Sequence, residues 1–135
     1  MVAEALSDIG TKVPKSVSVD IQELGLDSGA SITATIVTPS SGKRIVVTGL
    51  FQIAVGGFGG NTHIEFLSGT DEITGVLTSH PQAANSPVVI NTAYMPDGHF
   101  WTAKDEPLNV KLTNGHGGPG TKSVTLNGAV QYYED

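Results

Sequence analysis

Four histidines, the acid pairs Asp71-Glu72 and Asp105-Glu106, and the glycine-rich stretch 56–60 are the first places in this chain to look for chemistry. His63, His80, His99 and His116 lie in separate segments, with no H-x-H or H-E-x-x-H spacing. A zinc site needs three or four ligands converging on one point. The sequence therefore predicts no metal site, and no cofactor. His80, His99 and His116 fall in or near turn-rich stretches and read as solvated loop histidines. Asp71-Glu72 and Asp105-Glu106 are neighbours in sequence, and neighbours on a strand point to opposite faces. Glycoside hydrolysis needs two carboxyls facing each other across a sugar, which neither pair supplies. Asp97-x-His99 could be drawn as a base with its orienting acid. No serine follows in a nucleophile-elbow setting, and Asp97-Gly98 is already accounted for by turn chemistry. Gly56-Gly57-Phe58-Gly59-Gly60 lacks the Lys-Ser/Thr ending and following helix of a phosphate loop. It reads as a hairpin tip carrying Phe58, either as an anchor for a partner or folded back to cap the end of the fold. No catalytic residue is expected, and the chain is expected not to be an enzyme.

The elements that would position these residues are strands. Val17, Val19 and Ile21 alternate with Ser16, Ser18, Asp20 and Gln22, the period-two pattern of a half-buried strand. Leu24–Gly29 reads as a turn-rich connection. Ser31–Val37 and Pro107–Thr113 alternate in the same way. Lys43–Val55 is long for one strand, and Gly49 marks either a bulge or a bend between sheets. Thr62–Ser68, Glu72–Thr78, Pro87–Ala93 and Ser123–Tyr133 follow, with Gly128 a candidate bulge. Loops are expected at 79–86 and 114–120, and turns at 39–42 and 96–98. About eight strands at this spacing, without a crossover helix, predict an all-β antiparallel two-sheet sandwich of jelly-roll type. An immunoglobulin-like sandwich is the alternative, though the chain has no cysteine to pair. Ahead of the sandwich, Val2, Ala5, Leu6 and Ile9 recur at helical spacing before Gly10 and Pro14. Residues 1–14 are thus an N-terminal arm, either frayed or ordered against a neighbour, and residues 15–135 are a single domain.

Bulk properties narrow the partners. The chain has 135 residues and a net charge of −6 from 7 basic and 13 acidic side chains. That balance disfavours nucleic acid and anionic membranes. No segment approaches the roughly 20 apolar residues that a spanning helix needs. The N-terminus has no basic-then-apolar leader pattern, so use without secretion through a cleaved signal is expected. Charged residues make up 15% of the chain, against about 25% in ordinary domains. Ser, Thr, Asn and Gly supply the polarity instead, which suits packing into an assembly.

Lys43-Arg44-Ile45-Val46-Val47-Thr48-Gly49 opens a recurring order of short motifs. Phe66-Leu67-Ser68-Gly69-Thr70 comes next, with Ile73 and Gly75 soon after. Then come Gly98-His99-Phe100-Trp101-Thr102-Ala103, Glu106-Pro107-Leu108-Asn109-Val110 and Asn127-Gly128-Ala129-Val130-Gln131-Tyr132. Over residues 43–133 this order resembles small all-β virion proteins of tailed bacteriophages, and most of all capsid decoration (cement) proteins. The resemblance implies a non-enzymatic virion protein made in the host cytoplasm and bound to the outer capsid surface. Its implied partners are the major capsid protein and further copies of itself, commonly in a homotrimer. Decoration proteins share no catalytic motif, so no functional residue is carried over. From the residues themselves, the contacts expected are Val2, Leu6 and Ile9 of the arm, Phe58, and Tyr132-Tyr133. Those two tyrosines must point to opposite sides of the last strand, so that one can face a neighbour. The rival is a receptor- or carbohydrate-binding module of a phage tail or fibre, using loops 79–86 and 114–120, with Trp101 contributing. A jelly-roll enzyme with a histidine-bound metal is a third class, which metal analysis of the purified protein would expose. If the arm carries contacts, removing residues 1–14 abolishes capsid binding in a co-sedimentation assay without unfolding the sandwich. Unchanged binding removes the arm from the contact set.

Overall fold

The computed structural model describes residues 12–57, 61–79, 88–115 and 120–135. Ten strands run through them: β1 (Lys15–Asp27), β2 (Ser31–Val37), β3 (Ile45–Gly57), β4 (Thr62–Ser68), β5 (Asp71–Glu72), β6 (Leu77–Ser79), β7 (Val88–Ile90), β8 (Phe100–Trp101), β9 (Leu108–Asn114) and β10 (Thr121–Glu134). They form two five-stranded antiparallel sheets. The first has the order β1-β10-β3-β7, with β8 also on β3, and the second has β2-β9-β4-β5, with β6 also on β4. The chain is an all-β sandwich, as its alternation predicts.

The expected Glu72–Thr78 strand is two short pieces on β4, with Thr74 between them. The Phe66 N–H donates to Thr74 Oγ1 at 3.0 Å where a strand carbonyl would otherwise accept. Counting β5/β6 and β7/β8 as one interrupted strand each makes eight, and the sheet orders become 1-8-3-6 and 2-7-4-5. That order is consistent with a jelly roll. An immunoglobulin sheet pairs its first two strands, whereas here β1 and β2 lie in different sheets.

The inward faces of both sheets meet in one core. Ile45, Val47, Leu50 and Ile53 of β3 face Ile64 and Phe66 of β4 and Leu108, Val110 and Leu112 of β9. Val124, Leu126, Val130 and Tyr132 of β10 complete it. The ring of Phe100 packs on that of Phe66 with centroids 5.1 Å apart. Buried Asn114 ties the core to the β1–β2 turn. Its side chain donates to the Leu26 carbonyl at 2.8 Å and its carbonyl accepts from the Gly29 N–H at 2.8 Å.

β1 runs on to Asp27, past the connection expected at Leu24. A register shift between Glu23 and Leu26 inserts one residue and turns Leu26 into the core. β3 carries two more shifts. Val47 pairs with Tyr132 but Gly49 with Gln131, so Thr48 is one insertion. Phe51 pairs with Ala129 but Ala54 with Asn127, so Gln52 and Ile53 together oppose Gly128. Gly49 therefore lies next to a bulge, and β3 stays in one sheet instead of bending into the other. The second bulge holds Gln52 at φ 47 and Gly128 at φ 152. A Cβ on Gly128 would sit 2.7 Å from the Gln52 carbonyl oxygen and 2.8 Å from the Ile53 Cα. Both obstacles are backbone and cannot swing aside. Gly128→Ala is therefore expected to cost at least about 2 kcal/mol in a urea denaturation series. A loss within experimental error would show that the bulge relaxes freely.

Candidate interaction face

The bulges of β3 decide which side chains reach the surface. Between them the strand changes phase, so Leu50 turns inward and Phe51 outward. Phe51 is 55% exposed. Around it on the outer face of the first sheet lie Ser16, Ser18, Asp20 and Gln22 of β1 and Ser123, Thr125, Asn127, Ala129 and Gln131 of β10. Their facing follows from the register and from the burial of the alternate residues. Among these, Asp20 carries the only charge.

The far edge of β3 adds more apolar surface. After β7 the chain follows that edge without forming a strand, and its side chains and backbone satisfy β3. The Leu50 N–H donates to Thr92 Oγ1 at 2.8 Å, and the Gln52 N–H to Asn91 Oδ1 at 2.6 Å. The Met95 and His99 N–H groups donate to the Thr48 and Val47 carbonyls at 2.9 and 2.8 Å. This path holds Tyr94 and Met95 at the surface, 60% and 45% exposed, and Val89 of β7 is 51% exposed. A hollow of about 240 Å³ lies on this face, lined by Pro14, Lys15, Ser16, Thr48, Tyr94 and Gln131.

The outer face of the second sheet is charged and bonded to itself. Glu65, Lys111 and His63 sit in its central rows, with Glu72 on the edge strand. Lys111 Nζ lies 3.8 Å from Glu65 Oε1, and His63 Nδ1 is 2.8 Å from Thr78 Oγ1. Ser31 and Thr113 share a hydroxyl hydrogen bond of 2.6 Å. Glu65 is buried, and its Oε2 has no hydrogen-bond partner. Burial, and then the neighbouring Glu72 carboxyl, push its pKa up.

The expected contact residues divide. Val2, Leu6, Ile9 and Phe58 lie outside the described residues, as do His80, His116 and most of loops 79–86 and 114–120. Tyr132 and Tyr133 do point to opposite faces, but both are buried, at 9% and 6% exposure. Tyr132 belongs to the core, and Tyr133 lies under Lys12, whose Nζ is 5.8 Å from the ring centroid. Among the described residues the exposed aromatic rings are instead Phe51, Tyr94 and Trp101.

Two of the residues with chemistry to offer, His99 and Asp105, have structural work. His99 Nε2 is 2.7 Å from the Ala93 carbonyl oxygen, and Asp105 Oδ1 accepts from the Gly42 N–H at 2.5 Å. Among the described residues no group of three or more His, Asp or Glu side chains is placed to hold a metal ion. No helix among them is long and apolar enough to cross a membrane.

No protein-family model matches the chain, and no curated protein does. Among solved structures, a chain of the cyanophage Pam1 capsid asymmetric unit is similar at a TM-score of 0.49 and 15% identity. The match covers 91% of this chain and 86% of that one. A likeness that loose does not bear on function.

Two carboxyls set opposite pH dependences. Glu134 is hydrogen-bonded by Lys15 and by the Ser40 N–H, which lower its pKa to about 2. Its folded pKa is depressed, so its stabilisation is present above the ordinary glutamate range and is lost as pH falls towards about 2. Glu65 is raised, so the fold prefers it protonated, and stability is lost as pH rises through its folded pKa. Glu134→Gln should lower Tm at neutral pH, with the deficit vanishing on acidification. Glu65→Gln should raise Tm at pH 8 and lose that advantage in acid. Thermal melts across the pH range check both, and parallel curves for either variant would overturn its assignment.

Proposed function

We propose that this chain is a non-enzymatic structural protein of a tailed-phage particle. It docks on the outer capsid surface through the outer face of its first sheet and assembles as a trimer. The observation that carries the reading is Phe51, turned outward by the insertion at Thr48 in a strand whose Ile45, Val47, Leu50 and Ile53 build the core. Returning Ile53 to the core so soon after Phe51 takes a second bulge, with Gln52 at positive φ and Gly128 held against backbone. Strained backbone and re-aimed side chains of this kind concentrate at functional positions. The surrounding face suits a protein contact, because it is poor in charge and carries aromatic and aliphatic groups that bury well.

The resemblance of residues 43–133 to decoration proteins supplies the setting. An acidic domain meets a lattice without long-range pull, and its neutral face can come close without stranding a charge. Three such domains around a symmetry axis hide sheet edges that would otherwise recruit stray strands. Each contact can be weak, since three linked contacts multiply into a tight one. Binding only the assembled shell stabilises it by mass action.

The test is copy number per particle by quantitative mass spectrometry, with co-sedimentation of variants. A number scaling with capsid subunits is expected, and a handful of copies would move the chain to the tail. Phe51→Ser should weaken particle binding at least about tenfold, as loss of a central aromatic contact does. Its Tm should be unchanged or raised, because the ring is already exposed. Full binding by Phe51→Ser would take the first sheet's outer face out of the interface.

A further inference from the structure

We propose that the cleft beside β8 binds a neutral saccharide, with the Trp101 ring as its platform. The cleft holds about 680 Å³, and its walls include Arg44, Asp71, Ile73, Trp101, Lys104 and Asp135. That volume is within the roughly 300–1,000 Å³ of small-molecule sites. A second hollow of about 300 Å³ shares Ile73 and Trp101 as its wall. The indole thus lines both hollows, and the face not covered by Arg44 is the one open to a sugar ring.

Trp101 is 50% exposed although its strand neighbour Phe100 is packed into the core. Pairing of Val46 with Trp101 and of Val47 with Phe100 fixes that division. Arg44 is locked over one face of the ring. Its Nη2 and Nε donate to Asp135 Oδ2 at 2.8 and 3.2 Å, and its guanidinium carbon lies 5.6 Å from the indole centroid. Two reciprocal backbone bonds between Arg44 and Asp135, of 3.0 and 3.1 Å, hold the pair in register. Across the cleft the Ala103 N–H donates to Ser68 Oγ at 2.8 Å, which fastens the second sheet to the segment after β8. A platform built this way keeps its shape when empty.

The chemistry of the walls selects the ligand class. Arg44 and Lys104 balance Asp71 and Asp135, so no net charge is left to attract an ion. An apolar ring face beside charged donors and acceptors matches a pyranose, which has a C–H face and a rim of hydroxyls. The partial negative charge of the indole face favours those C–H groups. This site is separate from Phe51 and does not depend on the docking proposal.

Trp101 is the chain's one tryptophan, so its emission reports on this cleft alone. The full chain would be titrated with chitotetraose, maltohexaose and mannotetraose, with trigalacturonate as the anionic control and a neutral extended peptide as the polypeptide control. At least one neutral sugar should quench or shift the emission saturably. Calorimetry should then show binding weakened at least about tenfold by Trp101→Leu and several-fold by Asp71→Asn. Both variants should keep the wild-type circular dichroism, and because Asp71 is also exposed, the pair protects against misfolding of one. Silence from all three neutral sugars would overturn the proposal. So would a response to trigalacturonate or to the peptide alone, or binding that survives Trp101→Leu.

Discussion

β3 has to do two incompatible things along one stretch of chain, and most of the molecule follows from how it does them. Its inward side chains must fill the middle of the core, and one large aromatic between them must face out. A regular strand puts every second residue on one face, so Ile45, Val47, Gly49, Phe51 and Ile53 would share the core side. The insertion at Thr48 swings Leu50 in and Phe51 out, and the insertion at Gln52–Ile53 swings Ile53 back. The partner strand has to yield at the second point, which is why β10 carries glycine at 128. On its other edge an irregular strand cannot be matched by a regular one. β7 and β8 are accordingly short, and Asn91, Thr92 and Thr102 supply acceptors where a strand would have supplied carbonyls. The irregular path from 91 to 99 then displays Tyr94 and Met95. Exposure on this face is thus a consequence of the β3 bulges as well as of composition.

The two outer faces differ because their charges differ. On the second sheet, Glu65, Lys111, His63 and Thr78 are held by one another, and approaching protein would have to compete with those contacts. On the first sheet almost nothing charged would need to be stripped of water. Desolvating an unpaired charge is the costliest part of forming an interface. A chain of net charge −6 that keeps one face nearly neutral has one direction in which close approach is inexpensive. That asymmetry orients the domain on any partner it meets.

The sandwich was legible because alternation and turn residues are local signals. β2, β4, β9 and β10 lie within a residue or two of their expected bounds. The exposed face was not legible, for a physical reason. A bulge changes the facing of everything after it, and its position depends on the partner strand, which sequence order does not identify. Gly49 and Gly128 did mark the right neighbourhoods, yet nothing local shows that Thr48 is the inserted residue. Tyr132-Tyr133 shows the converse. Opposite facing was correctly expected, but an outward tyrosine is still buried when Lys12 and the neighbouring strand cover it. The same limit applied to Leu24–Leu26, where the glycine that suggested a turn lies within a strand containing a bulge.

The placement of Trp101 relative to Phe51 keeps the two proposed contacts apart on one domain. Phe51 lies towards the middle of β3, between β10 and the 91–99 path. Trp101 lies at the start of that strand, where the first sheet ends and Ser68, Asp71 and Ile73 of the second sheet's side form the opposite wall. A partner laid flat on the face would cover Phe51, Val89 and Tyr94 and meet the cleft only at its rim. The cleft's rigidity comes from Arg44–Asp135 and Ala103–Ser68, bonds that join elements at the edge instead of across the docking face. The proposed docking would therefore leave the proposed saccharide platform formed and open towards solvent. A structural subunit of a shell could in this way carry an adhesive site without a second domain.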